Sequence, residues 1–384
     1  MSDRPPRILL SAGEASGDRL GAGLARALRR RRPDVDLLGM GGDEMRAAGV
    51  RIVQETAEVA VVGIVEVAKH LPAIRRAMLR LERAIVEERP DLVVPVDFPD
   101  FNLRLAARAN SAGVPVVYFV SPQVWAWRAG RVRKIRNVVR RMLVLFPFEV
   151  AFYRDAGVPV DFVGHPLAER APVRDRAELC RLAGLDPDRP TVALVPGSRA
   201  GEVGRILPVL LEAARRLRPG RTGLQWLVSA APGLDRAALR AEADKHGLPD
   251  ARIHRGDFPE ILTVCTAGAV AAGTASLEAA TAELPIVVVY RMNPVTYAIG
   301  RRLVRLPHVA LPNLVAGRRV VPELIQDDCT PDRVASALER YLDHPEEAER
   351  VRHDLREVRR RLGAPGAFEV AAGKVLEELE RIPA

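Results

Sequence analysis

The sequence predicts an α/β protein built from two Rossmann-like domains whose parallel sheets face one another across a cleft. Short β-branched runs alternate with helical stretches in the first half of the chain, and the alternation begins again after a polar, proline-bearing segment at 165–176. Such alternation implies a parallel sheet with helices on both faces. The length of 384 residues also favours two domains, because single hydrophobic cores rarely grow that large.

The first domain, residues 1–168, is predicted from five apolar runs and the amphipathic segments between them. Leu92–Val96 is apolar throughout, as expected of a strand buried on both faces. In Leu71–Glu88, apolar residues recur at steps of three and four and form one stripe. The predicted strands are Arg7–Ser11, Leu92–Val96, Val116–Val120, Met142–Leu145 and Val160–Val163, and the predicted helices include Gly17–Arg31 and Leu71–Glu88.

The second domain, residues 169–344, repeats this pattern. Its predicted elements are the strands Thr191–Val195, Leu224–Ala230, Ala267–Ala272 and Ile286–Tyr290, and the helices Glu202–Leu217 and Asp235–His246. From Pro331 onward the chain is rich in Glu and Arg and is predicted to be helical to its end. The helices at about 345–384 are candidates to pack back on the first domain.

The net charge of +9 indicates either an affinity for polyanions or simply an Arg-rich solvated surface. No nucleic-acid-binding motif is present, so no nucleic-acid partner is predicted. The three cysteines lie far apart, without a CxxC pair or a His at ligand spacing. This pattern argues against disulfides and a zinc site, and it favours a reducing compartment. Neither a metal nor a cofactor is predicted, and the oligomeric state is left open.

The amino-terminal segment offers only a short apolar run, Ile8–Ala12, which is too short for a signal peptide. No segment reaches the ~18 consecutive apolar residues of a membrane span. The sequence therefore predicts a cytoplasmic protein.

Two loops that follow first-domain strands contain candidate site residues. In the loop 11–18, small residues allow a ligand to approach the backbone, and Glu14 is a catalytic candidate, with Ser16 and Gly17 as substrate contacts. Asp97 follows Val96 directly and is a candidate general base, a role that typically contributes about 10²–10⁴-fold. Asp100 and Asn102 are candidate substrate contacts, although Asp100 is also interpreted as the N-cap of a helix beginning near Phe101.

The segment 118–128 contains Trp125 and Trp127 just past a predicted strand. Such rings either stack on a sugar or acyl chain or pack in the core, and Trp125 is retained as a candidate substrate contact. The basic run that begins at Arg128 either meets a phosphate or an anionic membrane, or forms a solvated helix face.

Three second-domain loops contain the remaining candidates. In the loop 195–202, Ser198 and Arg199 precede a helix start, where backbone N–H groups and a bidentate guanidinium are suited to a diphosphate. Preorganised donors of this kind stabilise a departing nucleoside diphosphate without a metal. The other candidates for phosphate, ribose or ligand contact are Gly273, Thr274, Ser276, Glu278 and Asn313. Thr274 is also a candidate helix cap, and Asn313 alternatively makes a turn.

Taken together, the loops resemble those of the lipid-A-disaccharide synthase family, glycosyltransferases of the GT-B fold. The matching stretches run in order from residue 11 to about 314 and cover most of the chain. They are SAGEASGD, VGIVEV, DFPDFN, YFVSPQVWAWR, FPFE, FVGHPL, LVPGSR, GTASLEA and LPNL. The ordered set is far more specific than any one stretch.

The resemblance implies UDP-2,3-diacylglucosamine as donor and 2,3-diacylglucosamine 1-phosphate (lipid X) as acceptor. The products would be a β-1,6-linked disaccharide 1-phosphate and UDP, formed with inversion and without a covalent sugar–enzyme intermediate. In this scheme Asp97 deprotonates or orients the acceptor 6-hydroxyl, Arg199 and Ser198 hold the diphosphate, and Glu14 orients a sugar.

Acylated substrates imply an anionic membrane surface as a partner, with the protein bound peripherally at the inner face of the cytoplasmic membrane. The apolar run Val59–Val67, followed by Lys69 and the pair Arg75–Arg76, is a candidate contact, or else a buried element.

Two other functions fit part of the pattern. UDP-GlcNAc-dependent enzymes of related architecture, either a peptidoglycan glycosyltransferase or a UDP-GlcNAc 2-epimerase, lack the first-domain motifs. A non-catalytic basic protein that binds lipid or nucleic acid would release no UDP from any sugar pair.

Overall fold

A computed structural model describes residues 4–59, 64–122, 124, 129–169, 174–256, 258–293, 297 and 306–382. The chain divides into two compact units. One comprises Met1–Pro166 and Gly363–Ala384, and the other comprises Leu167–Leu362. In sequence, the second unit is therefore inserted between two parts of the first.

The first unit contains a seven-stranded sheet in which all neighbouring strands are parallel. Its strands are β1 Arg7–Ala12, β2 Asp36–Gly41, β3 Arg51–Glu55, β4 Leu92–Val96, β5 Val117–Phe119, β6 Arg141–Val144 and β7 Val160–Phe162. Their spatial order is β3-β2-β1-β4-β5-β6-β7.

The second unit contains a six-stranded sheet that is also parallel throughout. Its strands are β8 Thr191–Val195, β9 Gln225–Ser229, β10 Arg252–His254, β11 Ala267–Ala271, β12 Ile286–Tyr290 and β13 Glu323–Ile325. Their spatial order is β10-β9-β8-β11-β12-β13.

The helices connect the strands and cover the sheets. They are α1 Ala15–Arg31, α2 Asp43–Ala47, α3 Ile64–Glu88, α4 Pro99–Ser111, α5 Val132–Val138, α6 Pro147–Asp155, α7 Arg176–Ala183, α8 Ala200–Leu217, α9 Arg236–Lys245, α10 Phe258–Ile261, α11 Thr274–Thr281, α12 Leu311–Ala316, α13 Pro331–Asp343, α14 Pro345–Arg361 and α15 Ala367–Glu380. Within the ranges given above, none of them is long and apolar enough to cross a membrane.

The first sheet buries both of its faces, because successive side chains of a strand point to opposite sides. Leu10 of β1 packs in a cluster with residues of α1 and α15, whereas its neighbour Leu9 packs in a second cluster with residues of α3 and α4. This two-sided burial explains why β4 is apolar along its whole length.

Every strand predicted from the sequence is present, with each end within one residue of its predicted position. Four strands were not predicted: β2, β3, β10 and β13. The helix predicted from Leu71 begins seven residues earlier, at Ile64.

The carboxyl-terminal helix α15 packs against α1 of the first unit. The buried carboxylate of Glu378 also attaches α15 to the start of β6 in the same unit. One oxygen of Glu378 lies 2.8 Å from Nε of Arg140, and the other lies 3.1 Å from Nη1 of Arg141 and 2.7 Å from Nη1 of Arg381. Only 2% of Glu378 is exposed, and three positive charges compensate its buried charge, with Arg141 and Arg381 donating hydrogen bonds to one of its oxygens. Helix α14, in contrast, packs on α11, α12 and α13 of the second unit.

Candidate active site

Each sheet reverses its strand order at one point, and four of the predicted loops lie at these two points. In the first sheet the reversal lies between β1 and β4, where Ala12 is opposite Val96. In the second it lies between β8 and β11, where Val195 is opposite Val270. Open α/β sheets bind ligands outside the carboxyl ends of strands at such switch points. The loops that follow these strand ends are 13–14, 97–98, 196–199 and 272–273, and each leads directly into a helix: α1, α4, α8 or α11.

Asp97 is the first residue after β4, and its backbone lies in the left-handed region. Its φ is 48° and the φ of Phe98 is 49°, values that non-glycine residues rarely adopt. Val120, at the tip of the adjacent strand β5, has a φ of 65°. The left-handed conformation costs about 1–2 kcal/mol per residue, and strain of this kind concentrates at functional sites. The strain therefore identifies the tips of β4 and β5 as a candidate catalytic edge.

The carboxyl group of Asp97 has a pKa raised from 3.8 to about 6. Burial is the larger cause and the negative charge of Glu14 is the second, whereas a hydrogen bond from the N–H of Phe98 acts in the opposite direction. Glu14 itself is exposed, at the N-cap position of α1. A carboxylate with a pKa near 6 is ionised at pH 7 and more basic than an exposed Asp, which suits a general base.

Asn102 is fully buried, and its side-chain amide group forms hydrogen bonds with other residues of the protein. Its Oδ1 accepts a hydrogen bond from the Ser11 hydroxyl at 2.7 Å. Its Nδ2 donates to the backbone oxygens of Ser11 at 2.9 Å and Asp97 at 2.8 Å. In this position no dissolved ligand reaches the Asn102 side chain, so it acts on the site through the backbone.

The other first-unit candidates differ in their exposure. Ser16 is exposed in the first turn of α1, whereas Gly17 is buried there. Asp100 is exposed and forms an ion pair with Arg131 at 2.6 Å. The interpretation of Asp100 as a cap is wrong, because α4 begins at Pro99 and Asp100 is its second residue. Trp125 lies outside the residues that the structure describes.

Asp18 lies in the first turn of α1, and its role was not predicted. It is buried, and its carboxylate accepts backbone N–H groups of Gly42 at 2.7 Å, Glu44 at 3.1 Å and Met45 at 3.2 Å. These contacts attach the start of α2 to α1. The spacing within the loop gave no signal for this long-range contact.

In the second unit, Ser198 and Arg199 are exposed immediately before α8. Arg199 occupies the N-cap position of this helix, whose first N–H groups are suited to an anion. The carboxylate of Glu202 accepts the backbone N–H of Ser198 at 3.3 Å. Glu202 was not predicted, although its position three residues after the N-cap is the spacing of a capping box.

At the other side of the second switch point, Gly273 and Thr274 are exposed. Gly273 has a φ of 134° and occupies the N-cap position of α11. The interpretation of Thr274 as the cap is therefore wrong, since it is the first helical residue. Ser276 is fully buried and its hydroxyl donates to the carbonyl of Gly273 at 2.7 Å. Glu278 is half-buried in the second turn.

Asn313 is fully buried and fixes the segment 320–323. Its Oδ1 accepts the N–H groups of Val320 at 2.8 Å and Val321 at 3.0 Å, and its Nδ2 donates to a carboxylate oxygen of Glu323 at 2.7 Å. Asn313 lies within α12 rather than in a loop, so the turn that the sequence offered as its alternative is wrong.

Gln326 follows β13 directly and was not predicted as a site residue. Its φ is 54°, and its side-chain amide exchanges two hydrogen bonds with the backbone of Met292, accepting at 2.7 Å and donating at 3.2 Å. Gln326 thus fixes the segment that follows β12. No sequence signal pointed to it, because the three-residue strand before it was not recognised.

The chain is similar to known proteins over nearly its whole length. Residues 8–372 match a family described as lipid-A-disaccharide synthetase. A relative from Geobacter metallireducens, named lipid-A-disaccharide synthase, is 47% identical over 374 residues, which cover 97% of each chain.

Solved structures share the architecture at low sequence identity. The calicheamicin glycosyltransferase CalG4 aligns with a TM-score of 0.62 at 18% identity, covering 99% of this chain and 100% of its own. The complex of S. aureus MnaA with UDP aligns with a TM-score of 0.66 at 14% identity, covering 98% of both chains.

Proposed function

Since the chain belongs to the lipid-A-disaccharide synthase family, and is thus a GT-B glycosyltransferase of lipid A biosynthesis, we propose that it transfers diacylglucosamine from UDP-2,3-diacylglucosamine to lipid X. The products are a β-1,6-linked disaccharide 1-phosphate and UDP. The observation that carries the proposal is the strained Asp97, whose carboxyl pKa is raised to about 6 at the first switch point.

Asp97 is the general base in this reaction. The acceptor 6-hydroxyl oxygen attacks the anomeric carbon of the donor, the bond from that carbon to the phosphate oxygen breaks, and its electron pair leaves with UDP. The hydroxyl proton passes to the Asp97 carboxylate. One direct displacement inverts the anomeric centre, so no covalent sugar–enzyme intermediate is required. Glu14 raises the basicity of Asp97 through its charge and orients a sugar.

The second unit holds the nucleotide. Arg199 and Ser198 contact the diphosphate, together with the N–H groups at the start of α8, because these donors stabilise the charge that develops on the leaving group. Gly273 and Thr274 contact phosphate from the start of α11, and Glu278 takes the ribose hydroxyls. The buried Ser276 supports the turn at Gly273 from within the fold, whereas the buried Asn313 fixes the segment 320–323. The UDP bound by S. aureus MnaA, a protein of the same architecture, is consistent with this assignment.

Incubation of the purified protein with UDP-2,3-diacylglucosamine and lipid X tests the proposal directly. We expect mass spectrometry to detect the tetraacyl disaccharide 1-phosphate together with an equal amount of UDP. Replacing the donor with UDP-GlcNAc should give no disaccharide. Turnover of UDP-GlcNAc alone, with epimerisation, would instead indicate an epimerase, and the absence of UDP from every sugar pair would indicate a non-catalytic protein.

The pH dependence of kcat/KM should report the titration of Asp97. Its pKa of about 6 predicts that kcat/KM rises with pH through 6 and levels off above 7, because the ionised carboxylate is the active form. Replacing Glu14 with Gln removes a negative charge that raises this pKa, so the rise should move to lower pH. If kcat/KM of Glu14→Gln rose at the same pH as that of the unmodified enzyme, the charge of Glu14 would not raise the pKa of Asp97.

We place the protein at the inner face of the cytoplasmic membrane, where acylated substrates reside. Helix α3 exposes apolar residues on one side, at steps of seven and eight residues: Leu71 is 55% exposed, Leu79 54% and Val86 68%. Arg75 and Arg76 are exposed between them. An apolar side with a basic flank is suited to an anionic lipid surface. Of the predicted contact at Val59–Val67, Val59 is buried, residues 60–63 lie outside the described residues, and only the backbone of 64–67 is described.

Binding to vesicles that contain phosphatidylglycerol should therefore weaken as salt rises, because screening reduces the attraction between the arginines and the lipid. Replacing Arg75 and Arg76 with Gln should reduce binding at low salt and weaken the salt dependence. Replacing Leu79 and Val86 with Ser should weaken binding at all salt concentrations. The matched control is Leu182→Ser, an exposed leucine of the second unit, which should bind like the unmodified protein. If none of these changes affected vesicle binding, α3 would be excluded as the membrane contact.

A further inference from the structure

We propose that Tyr118 and Asn102 are positioning residues for the transfer reaction, because together they hold the backbone carbonyl of Asp97 and thereby orient its carboxylate. This inference rests on the proposed role of Asp97 as the base. It concerns two side chains that touch no substrate, since both are fully buried.

Two donors converge on one acceptor at the tip of β4. The hydroxyl of Tyr118 donates to the carbonyl oxygen of Asp97 at 2.7 Å, and Nδ2 of Asn102 donates to the same oxygen at 2.8 Å. On the other side of the residue, the N–H of Asp97 donates to the carbonyl of Phe119 at 3.1 Å. Both backbone polar groups of Asp97 are therefore fixed by the core of the sheet.

The consecutive left-handed residues Asp97 and Phe98 explain why such restraint is needed. A strained conformation persists only where the surrounding structure imposes it. The Phe98 ring adds a steric restraint, because a Cβ placed on Gly13 would lie 2.0 Å from it. Tyr118 and Asn102 act beside this contact as hydrogen-bonding restraints on the same turn.

The two positioning residues are themselves held in place. Asn102 accepts the hydroxyl of Ser11 at 2.7 Å and donates to the Ser11 carbonyl at 2.9 Å, so the tips of β1 and β4 are connected through α4. Burial, with a smaller contribution from the charge of Asp97, raises the pKa of Tyr118 well above its usual value. The phenol therefore keeps its proton and remains a donor throughout the working pH range.

Loss of either restraint should reduce the rate constant more than substrate binding, since a displacement of about 1 Å at a reacting group costs about 100-fold. Tyr118→Phe keeps the buried ring and removes only the hydroxyl. We expect it to lower kcat about 10- to 100-fold with little change in KM for the UDP-sugar. A looser Asp97 is also better solvated, so the rise of kcat/KM should move below pH 6.

A matched control separates positioning from general packing. Tyr341 is also buried, and its hydroxyl donates to the carbonyl of Ile286 at 3.2 Å, at the amino end of β12 and so opposite the strand tips. Tyr341→Phe should cost similar thermal stability while leaving kcat and the pH profile unchanged. Ser11→Ala provides a second test, because it loosens Asn102 without touching Asp97, and it should lower kcat several-fold.

The outcomes of these measurements are distinguishable. If Asp97→Asn retained turnover, the proposed function itself would be wrong. If Asp97→Asn were inactive while Tyr118→Phe and Ser11→Ala turned over like the unmodified enzyme with the same pH profile, the positioning inference would be overturned. Should Tyr118→Phe fail to fold, Ser11→Ala alone decides between these outcomes.

Discussion

Replacing Asp97 with Asn is expected to lower kcat by about 10²–10⁴-fold, the usual contribution of a general base. Asn has nearly the same shape and tolerates the left-handed conformation of this residue better than most side chains, so the backbone turn should be retained. An amide accepts no proton from the acceptor hydroxyl. The Kd for UDP, measured by calorimetry, should be unchanged, because we propose that the second unit holds the nucleotide.

The same substitution should stabilise the protein at neutral pH. Asp97 has a folded-state pKa of about 6, above its unfolded value of 3.8, so the folded state holds its proton more tightly. Ionisation therefore destabilises the fold as pH rises from about 4 to 6, and the full penalty is present above 6. The difference between the two pKa values corresponds to about 3 kcal/mol. Asp97→Asn should therefore raise Tm at pH 8, with a gain that shrinks towards pH 4.

A lower Tm for Asp97→Asn at pH 8 would contradict the raised pKa. Turnover close to that of the unmodified enzyme would remove Asp97 from its role as base. The two measurements are independent. If Asp97→Asn were more stable but fully active, the raised pKa of Asp97 would stand and its role as general base would be excluded.

Replacing Arg199 with Ala should lower kcat by about 10²–10³-fold, because a donor to a developing negative charge contributes on that scale. Arg199 is exposed at the N-cap of α8, so its loss should leave Tm nearly unchanged. Arg199→Lys should recover only part of the rate, since an ammonium group does not reproduce the bidentate geometry of a guanidinium.

The matched control for this prediction is Arg218→Ala at the opposite end of α8. Arg218 is also exposed, and it donates to the carbonyl of Gly247 at 2.7 Å. Its removal should change neither kcat nor the Kd for UDP. Equal losses in the Arg199 and Arg218 variants would indicate a general effect of positive charge rather than a contact with the diphosphate.

The sheet positions of the candidate loops were predictable from the sequence because buried parallel strands are apolar throughout. Runs such as Leu92–Val96 and Thr191–Val195 define where a strand ends, and the residue after that end must lie at the carboxyl edge of a sheet. Asp97 and Arg199 were found in this way, without any knowledge of strand order.

The strands that escaped prediction are short or irregular. β10 and β13 have only three residues each, and both begin with a charged residue, Arg252 and Glu323, so no apolar run marks their start. In β2, Gly39 interrupts the apolar run, and a Cβ there would lie 1.7 Å from the carbonyl oxygen of Leu10. The close approach of β1 to β2 thus requires a glycine at position 39. The same glycine breaks the apolar pattern from which β2 could have been predicted.

The residues that support the site could not be predicted because their partners are distant in sequence. Tyr118 reaches Asp97 across 21 residues and Asn102 reaches Ser11 across 91. Local spacing instead favoured caps at Asp100 and Thr274, where the helices begin one or two residues earlier than expected. Only the tertiary structure distinguishes a side chain that faces a ligand from one that holds the loop from inside.

The attachment of α15 by Glu378 has a consequence for synthesis on the ribosome. Residues 167–362 form a complete unit that can finish folding as soon as they have emerged. The amino-terminal sheet is made first, and α1 covers part of the face that α15 shares, but the remaining part of that face stays uncovered until α15 has been made. Newly made protein therefore exposes that part of the face while residues 167–362 are synthesised.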